Sequence, residues 1–116
     1  MTECALTSPK VVPKVRGREI WIVNIDEYCC KLLDVNKGAS GSLHYHKEKK
    51  ETFMIAIGKI QLEVDKQVFT MKAGPKTITI LPGTPHRFKA LKTSSILEVS
   101  THHREDDVVR IEESKG

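Results

Sequence analysis

At 116 residues the chain is the size of one domain and can build a core without disulfide or metal staples. Its 39% hydrophobic and 29% charged residues argue against wholesale disorder, and no apolar run approaches the roughly 18 residues of a membrane-spanning helix. The net charge of +4 is spread along the chain with few aromatics between the basic residues, which argues against nucleic acid and mildly favours an anionic small molecule.

Residues 1–16 are polar, carry Pro9 and Pro13, and read as an N-terminal arm or an added edge strand. From residue 17 onward, short β-branched or aromatic runs alternate with Gly, Pro, Asp, Asn and Lys punctuation. The runs are EIWIVNI, YCCKLLDV, GSLHYH, ETFMIAI, KIQLEV, QVFTM, TITIL, HRFKAL, SILEVS and VVRIEE. None sustains a helical apolar period, so the pattern predicts an all-β sandwich or barrel over residues 17–112. Cys29 and Cys30 are adjacent on a strand, so one faces the core and the other outward. With Cys4 they make an odd count without disulfide spacing, which fits a reducing compartment. The start MTECALTSPKVVPK lacks a charged stretch followed by an apolar block, so cytoplasmic residence is the default expectation. Gly58-Lys59 and Asp65-Lys66 fit two-residue hairpin turns. Residues 113–116 are expected to fray.

The stretch Gly38–Gly58 carries the first chemistry. On a strand, His44 and His46 are i and i+2 and share a face. The charged KEKK run then turns the chain, and Glu51 opens the next strand, where a hairpin would return it beside the histidines. His86 follows LPGTP, a turn stiffened by two prolines, at the start of another strand. Three imidazoles and one carboxylate suit a divalent first-row metal: Mn, Fe, Co, Ni, Cu and Zn all accept such ligands.

Gly38, His44, His46, Glu51 and Gly58, at their observed spacing, resemble the first motif of the cupin family. Pro82-Gly83-Thr84-Pro85-His86 resembles the second, with Leu81 in place of a usual proline and Ala90 in place of a usual asparagine. The resemblance implies a double-stranded β-helix, the cupin jelly-roll barrel. It would hold one metal ion inside on His44, His46, Glu51 and His86. It also implies a homodimer in which residues 10–23 can cross to the partner.

The C-terminal segment is similar to the end of the cupin domain in type II mannose-6-phosphate isomerases. Glu98-Val99 is followed there by Glu105-Asp106-Asp107 and Arg110. His44 stands where those proteins often carry glutamine. This likeness implies a sugar or sugar-phosphate substrate and an aldose–ketose isomerisation. Such a reaction moves a proton between neighbouring carbons, so it needs a base beside the metal. Glu98, His102 and His103 are the candidate catalytic residues. Phe88 shares the face of His86 and is expected to line the cavity, and Arg110 is a candidate for binding a phosphate. Arg87 and Lys89 fall on the opposite face. The same ligand set also fits a non-haem iron dioxygenase, and the barrel also fits a small-molecule-binding protein without turnover.

Overall fold

The computed structural model describes residues 4–116, so the first three residues of the expected arm lie outside it. Eleven strands make up nearly all of the regular structure among the described residues. They are β1 Lys10–Lys14, β2 Gly17–Asn24, β3 Cys29–Val35, β4 Leu43–His46, β5 Glu51–Ile57, β6 Lys59–Val64, β7 Gln67–Lys72, β8 Thr77–Ile80, β9 His86–Ala90, β10 Ser94–Ser100 and β11 Val108–Glu112. A single 3-10 turn, Glu105–Asp107, precedes β11.

The strands form two antiparallel sheets that face each other as a jelly roll. One has the order β1-β2-β3-β10-β5-β8 and the other β11-β4-β9-β6-β7. β1 pairs with β2 along its whole length, so residues 10–14 form an edge strand. Residues 113–116, expected to fray, are instead held in part: Ser40 and Lys115 exchange two backbone hydrogen bonds of 2.8 and 3.0 Å.

Two of the expected hairpins are absent. β4 and β5 belong to opposite sheets, and so do β5 and β6. The Gly58 turn is therefore a corner at which the chain changes sheets. Gly58 has φ +93°, and a Cβ there would overlap Ser94 Oγ and come within 2.6 Å of the Thr93 carbonyl oxygen. Glycine satisfies both demands. The β6–β7 hairpin does form, with Asp65 and Lys66 at φ 48° and 71°, the left-handed pair of a tight two-residue turn.

Strand alternation fills the space between the sheets, and its content changes along each strand. On β3 the inward residues are Cys29, Lys31, Leu33 and Val35; on β10 they are Ser94, Ile96, Glu98 and Ser100. On β5 they are Glu51, Phe53 and Ile55, and on β9 His86, Phe88 and Ala90. Pairing aligns Ile96 with Leu33 and Ile55, and Glu98 with Lys31 and Phe53. One end of the barrel is thus a packed apolar core around Leu33, Ile55, Ile60, Leu62 and Ile96. Each such Leu or Ile contributes roughly 1.5–3 kcal/mol by leaving water. The other end is lined by charged and imidazole side chains. Cys29 is fully buried while Cys30 is half-buried, as strand alternation requires.

Candidate metal centre

Four side chains meet at the polar end. His44 and His46 come from β4, and His86 stands directly opposite His44 on the neighbouring strand β9. Glu51 reaches them across the barrel from the other sheet, not through a hairpin return. One ligand atom from each of the four lies within 4.8 Å of all the others.

Backbone contacts fix the rings. His86 Nδ1 donates to the Thr84 carbonyl at 2.9 Å, which the Pro82–Pro85 turn aims at it, and leaves Nε2 as a lone pair. His44 Nδ1 lies 3.0 Å from the Ser42 carbonyl, with the same effect. Glu51 Oε2 is 2.8 Å from His86 Nε2 and 3.2 Å from His46 Nε2. Despite these distances Glu51 Oε2 and His86 Nε2 are buried without a partner in hydrogen-bond geometry. Lone pairs converging on one point, rather than on each other, account for this. The donor set of three imidazoles and a carboxylate therefore fits one divalent metal ion.

Burial, reinforced by His86, pushes the His44 pKa down to about 3, so the ring is neutral and ready to coordinate. Burial alone would raise Glu51, but His46, His86 and Lys49 hold it well below the usual carboxylate range. Burial alone would likewise lower His86; the Glu51 carboxylate reverses this and raises it.

A charged wall continues from the four residues. Lys49 Nζ bonds Glu98 Oε2 at 2.7 Å, lies 3.5 Å from Glu51 Oε1 and 3.0 Å from His103 Nδ1. Burial would lower the Lys49 pKa, but Glu98 and Glu51 outweigh it and raise it, so the ammonium persists. Further along, Glu19 binds Arg16, accepts from Trp21 Nε1 at 2.8 Å and lies 3.8 Å from Lys31 Nζ. Lys31 also sits 4.0 Å from the centre of the Trp21 ring. Pairing of this kind is what allows buried charges to persist. These four residues and the wall line one cavity of about 90 Å3, whose lining also includes Lys14, Arg110 and Glu105.

Of the candidate catalytic residues, Glu98 and His103 line this cavity and His102 does not. His102 borders a separate surface pocket, 3.9 Å from Asp26. The adjacent positions 102 and 103 point to different places. Phe88 forms a cavity wall beneath the ligands, and Arg110 also lines the cavity, 3.4 Å from Glu105. Asp107 is buried and accepts from the backbone N–H groups of Glu48 and Lys49 at 2.8 and 3.0 Å, which shapes the 47–50 turn. Arg87 faces outward and binds Glu112 at 3.2 Å.

Sequence reasoning missed Arg16, Glu19, Lys31 and Lys49. Lys31 carried a signal, since it shares its strand face with Leu33 and Val35. Arg16 and Lys49 lie in turns, where charge is ordinarily solvated.

The chain belongs to the cupin family: a family model described as the cupin domain matches residues 31–110. Among solved structures it is similar to KdgF from Halomonas sp., at 17% identity over 77% of this chain and 81% of that one, with a TM-score of 0.71. It is also similar to a Streptomyces Pac13 solved with uridine, at 15% identity over 97% and 93% of the two chains, with a TM-score of 0.79. Oxalate decarboxylase from Bacillus subtilis matches at 16% identity over 94% of this chain but 34% of its own, with a TM-score of 0.77. At these identities the likeness is one of fold. No curated protein sequence matches the chain. Among the described residues no helix is long and apolar enough to cross a membrane.

Proposed function

We propose that this chain is a metal-dependent enzyme that moves a proton on a small, hydroxylated, sugar-like substrate, as an aldose–ketose isomerase of a sugar or sugar phosphate does. The observation that carries the reading is a shared cavity: the four metal-ligand residues and the Lys49–Glu98 pair face the same space. A bound divalent ion would supply Lewis-acid stabilisation of a developing oxyanion.

The chain's own residues supply the rest. Glu98 is the proton carrier; its Oε2 is held by Lys49 and by Ser100 Oγ at 3.2 Å, which leaves Oε1 for substrate. His103 is committed on both nitrogens, to Lys49 and to Glu105 at 3.0 Å, so it positions Lys49 rather than taking the proton. The cavity admits the reacting end of a sugar, and the remainder lies beside Lys14 and Arg110. Pac13, described as a nucleoside dehydratase, and oxalate decarboxylase share the fold, which supports an oxygen-rich substrate without choosing the reaction. A homodimer and a cytoplasmic location complete the reading, supported by the edge strand β1 and by cysteines that are all free.

A coupled assay of metal-loaded protein against hexose and pentose phosphates tests it. Interconversion of at least one pair is expected, and Glu98→Gln should abolish it while metal content stays stoichiometric. No interconversion across the panel sinks the isomerase. Oxygen uptake by the iron form would put the dioxygenase in its place, and tight binding without turnover a non-catalytic cupin.

A further inference from the structure

Among the described residues, four buried side-chain polar atoms have no hydrogen-bond partner. Three belong to the metal-ligand residues His46, Glu51 and His86; the fourth is Arg16 Nη1. Arg16 is only 6% exposed, although it sits in the turn between β1 and β2. Its Nη2 is taken by Glu19, and its Cζ lies 5.1 Å from the centre of the Phe88 ring. Gly41 also packs near this ring: a Cβ there would come within 2.9 Å of Phe88 Cζ. The guanidinium is thus buried beside Phe88 in the cavity lining, held by Glu19 through Nη2, with Nη1 left without an acceptor.

A buried guanidinium N–H without an acceptor is costly, and two of the other orphans, Glu51 Oε2 and His86 Nε2, are explained by an ion the residues converge on. We propose that Arg16 is an anion anchor: it binds the carboxylate or phosphate at one end of a small ligand whose other end lies at His44, His46, Glu51 and His86. Phe88 and His86 are successive inward residues of β9, roughly 6–7 Å apart along the strand, and the guanidinium lies beside Phe88, one inward position from the metal-ligand end. A chain of three or four carbons spans that distance. The cavity charge agrees, with five cationic side chains among its lining residues against four carboxylates, before any metal ion is counted. A planar guanidinium matches both oxyanions in geometry. The inference rests on the reading that this cavity takes a small polar ligand, and not on the reaction run there.

Metal-free and metal-loaded protein would be titrated with inorganic phosphate and, separately, with malonate, by calorimetry and by NMR of the arginine guanidinium nitrogens. Saturable binding of at least one anion to the metal-free protein in the millimolar range or tighter is expected, with the Arg16 Nη signals shifting along the same curve. Arg16→Gln should weaken that binding about tenfold or more, the scale of losing a charge-assisted bidentate contact, and leave metal content unchanged. Arg16→Lys keeps the charge and a partner for Glu19 but lacks the fork, so it should bind several-fold more weakly while remaining folded. It decides the matter with the wild-type NMR if Arg16→Gln does not fold. Tighter phosphate binding assigns a phosphorylated ligand, and tighter malonate binding an organic acid. Absence of binding by either anion, unmoved Arg16 signals, or equal affinity in a folded Arg16 variant overturns the proposal. Because anion binding is read without metal and metal content without anion, failure of the metal site leaves this test intact.

Discussion

His44 and His103 are imidazoles that burial keeps from charging, and this ties the stability of the metal-free protein to pH. Their pKa values fall from 6.5 to about 3 and about 4. Burial leads in both, followed by His86 for His44 and by Lys49 and Lys31 for His103. Below pH 6.5 the unfolded chain takes up protons on both rings and the native chain does not, so stability is lost as pH falls. Each ring contributes up to about 1.4 kcal/mol per pH unit. His86 does not cancel this: its pKa is raised, so its contribution is complete by 6.5 and constant below it. Glu51, held low, begins to act only below 4.5. Urea unfolding of metal-free protein at pH 6.5 and 4.5 should therefore show lower stability at the acid end. A flat or rising profile would mean that the two rings are solvated.

The turns between strands are where the site is assembled, and each can be broken separately. Asp107 stands 3.9 Å from His46 Nδ1, and it holds the N–H groups of Glu48 and Lys49 and so sets the turn that separates His46 from Glu51. Asp107→Ala should cost about 1–3 kcal/mol in unfolding free energy. It should also weaken metal binding by about tenfold or more, read by competition with a chelator. Gly58→Ala tests the opposite end. Its φ of +93° and its contact with Ser94 make any side chain costly, on the order of 2 kcal/mol or more, while the folded fraction keeps its full metal content. Strand existence was legible because alternation survives in nearly every run, and the His44-His46-Glu51-His86 set was legible from spacing. Sheet membership was not, because a two-residue period says which face a residue takes but not which strand it pairs with. Hence Glu51 was expected beside the histidines and is found opposite them. Lys49 and Arg16 were hidden for a related reason: what turns them inward is Asp107 in one case and Glu19 in the other, and Asp107 is 58 residues away from Lys49.

At the scale of the whole molecule, the candidate metal-ligand residues come from both sheets, so an ion held by them would tie the two faces of the barrel together. An ion that binds the folded chain at one hundred times its Kd adds about 2.7 kcal/mol, which for a domain of this size is a rise of roughly ten degrees in Tm. Thermal unfolding with and without the ion should show that rise, and His46→Ala should remove it. No rise in the unaltered protein would overturn the ligand assignment. The grading of the interior, apolar at one end of each strand and charged at the other, has a further consequence for how such a chain can change over generations. Substitutions among Arg16, Lys31, Lys49 and Glu98 alter what the barrel meets without opening a hole among Leu33, Ile55, Leu62 and Ile96. Replacing paired buried charges with apolar groups of similar size is often neutral or stabilising. The barrel can therefore lose one chemistry and acquire another while its foldability is inherited intact from the opposite end.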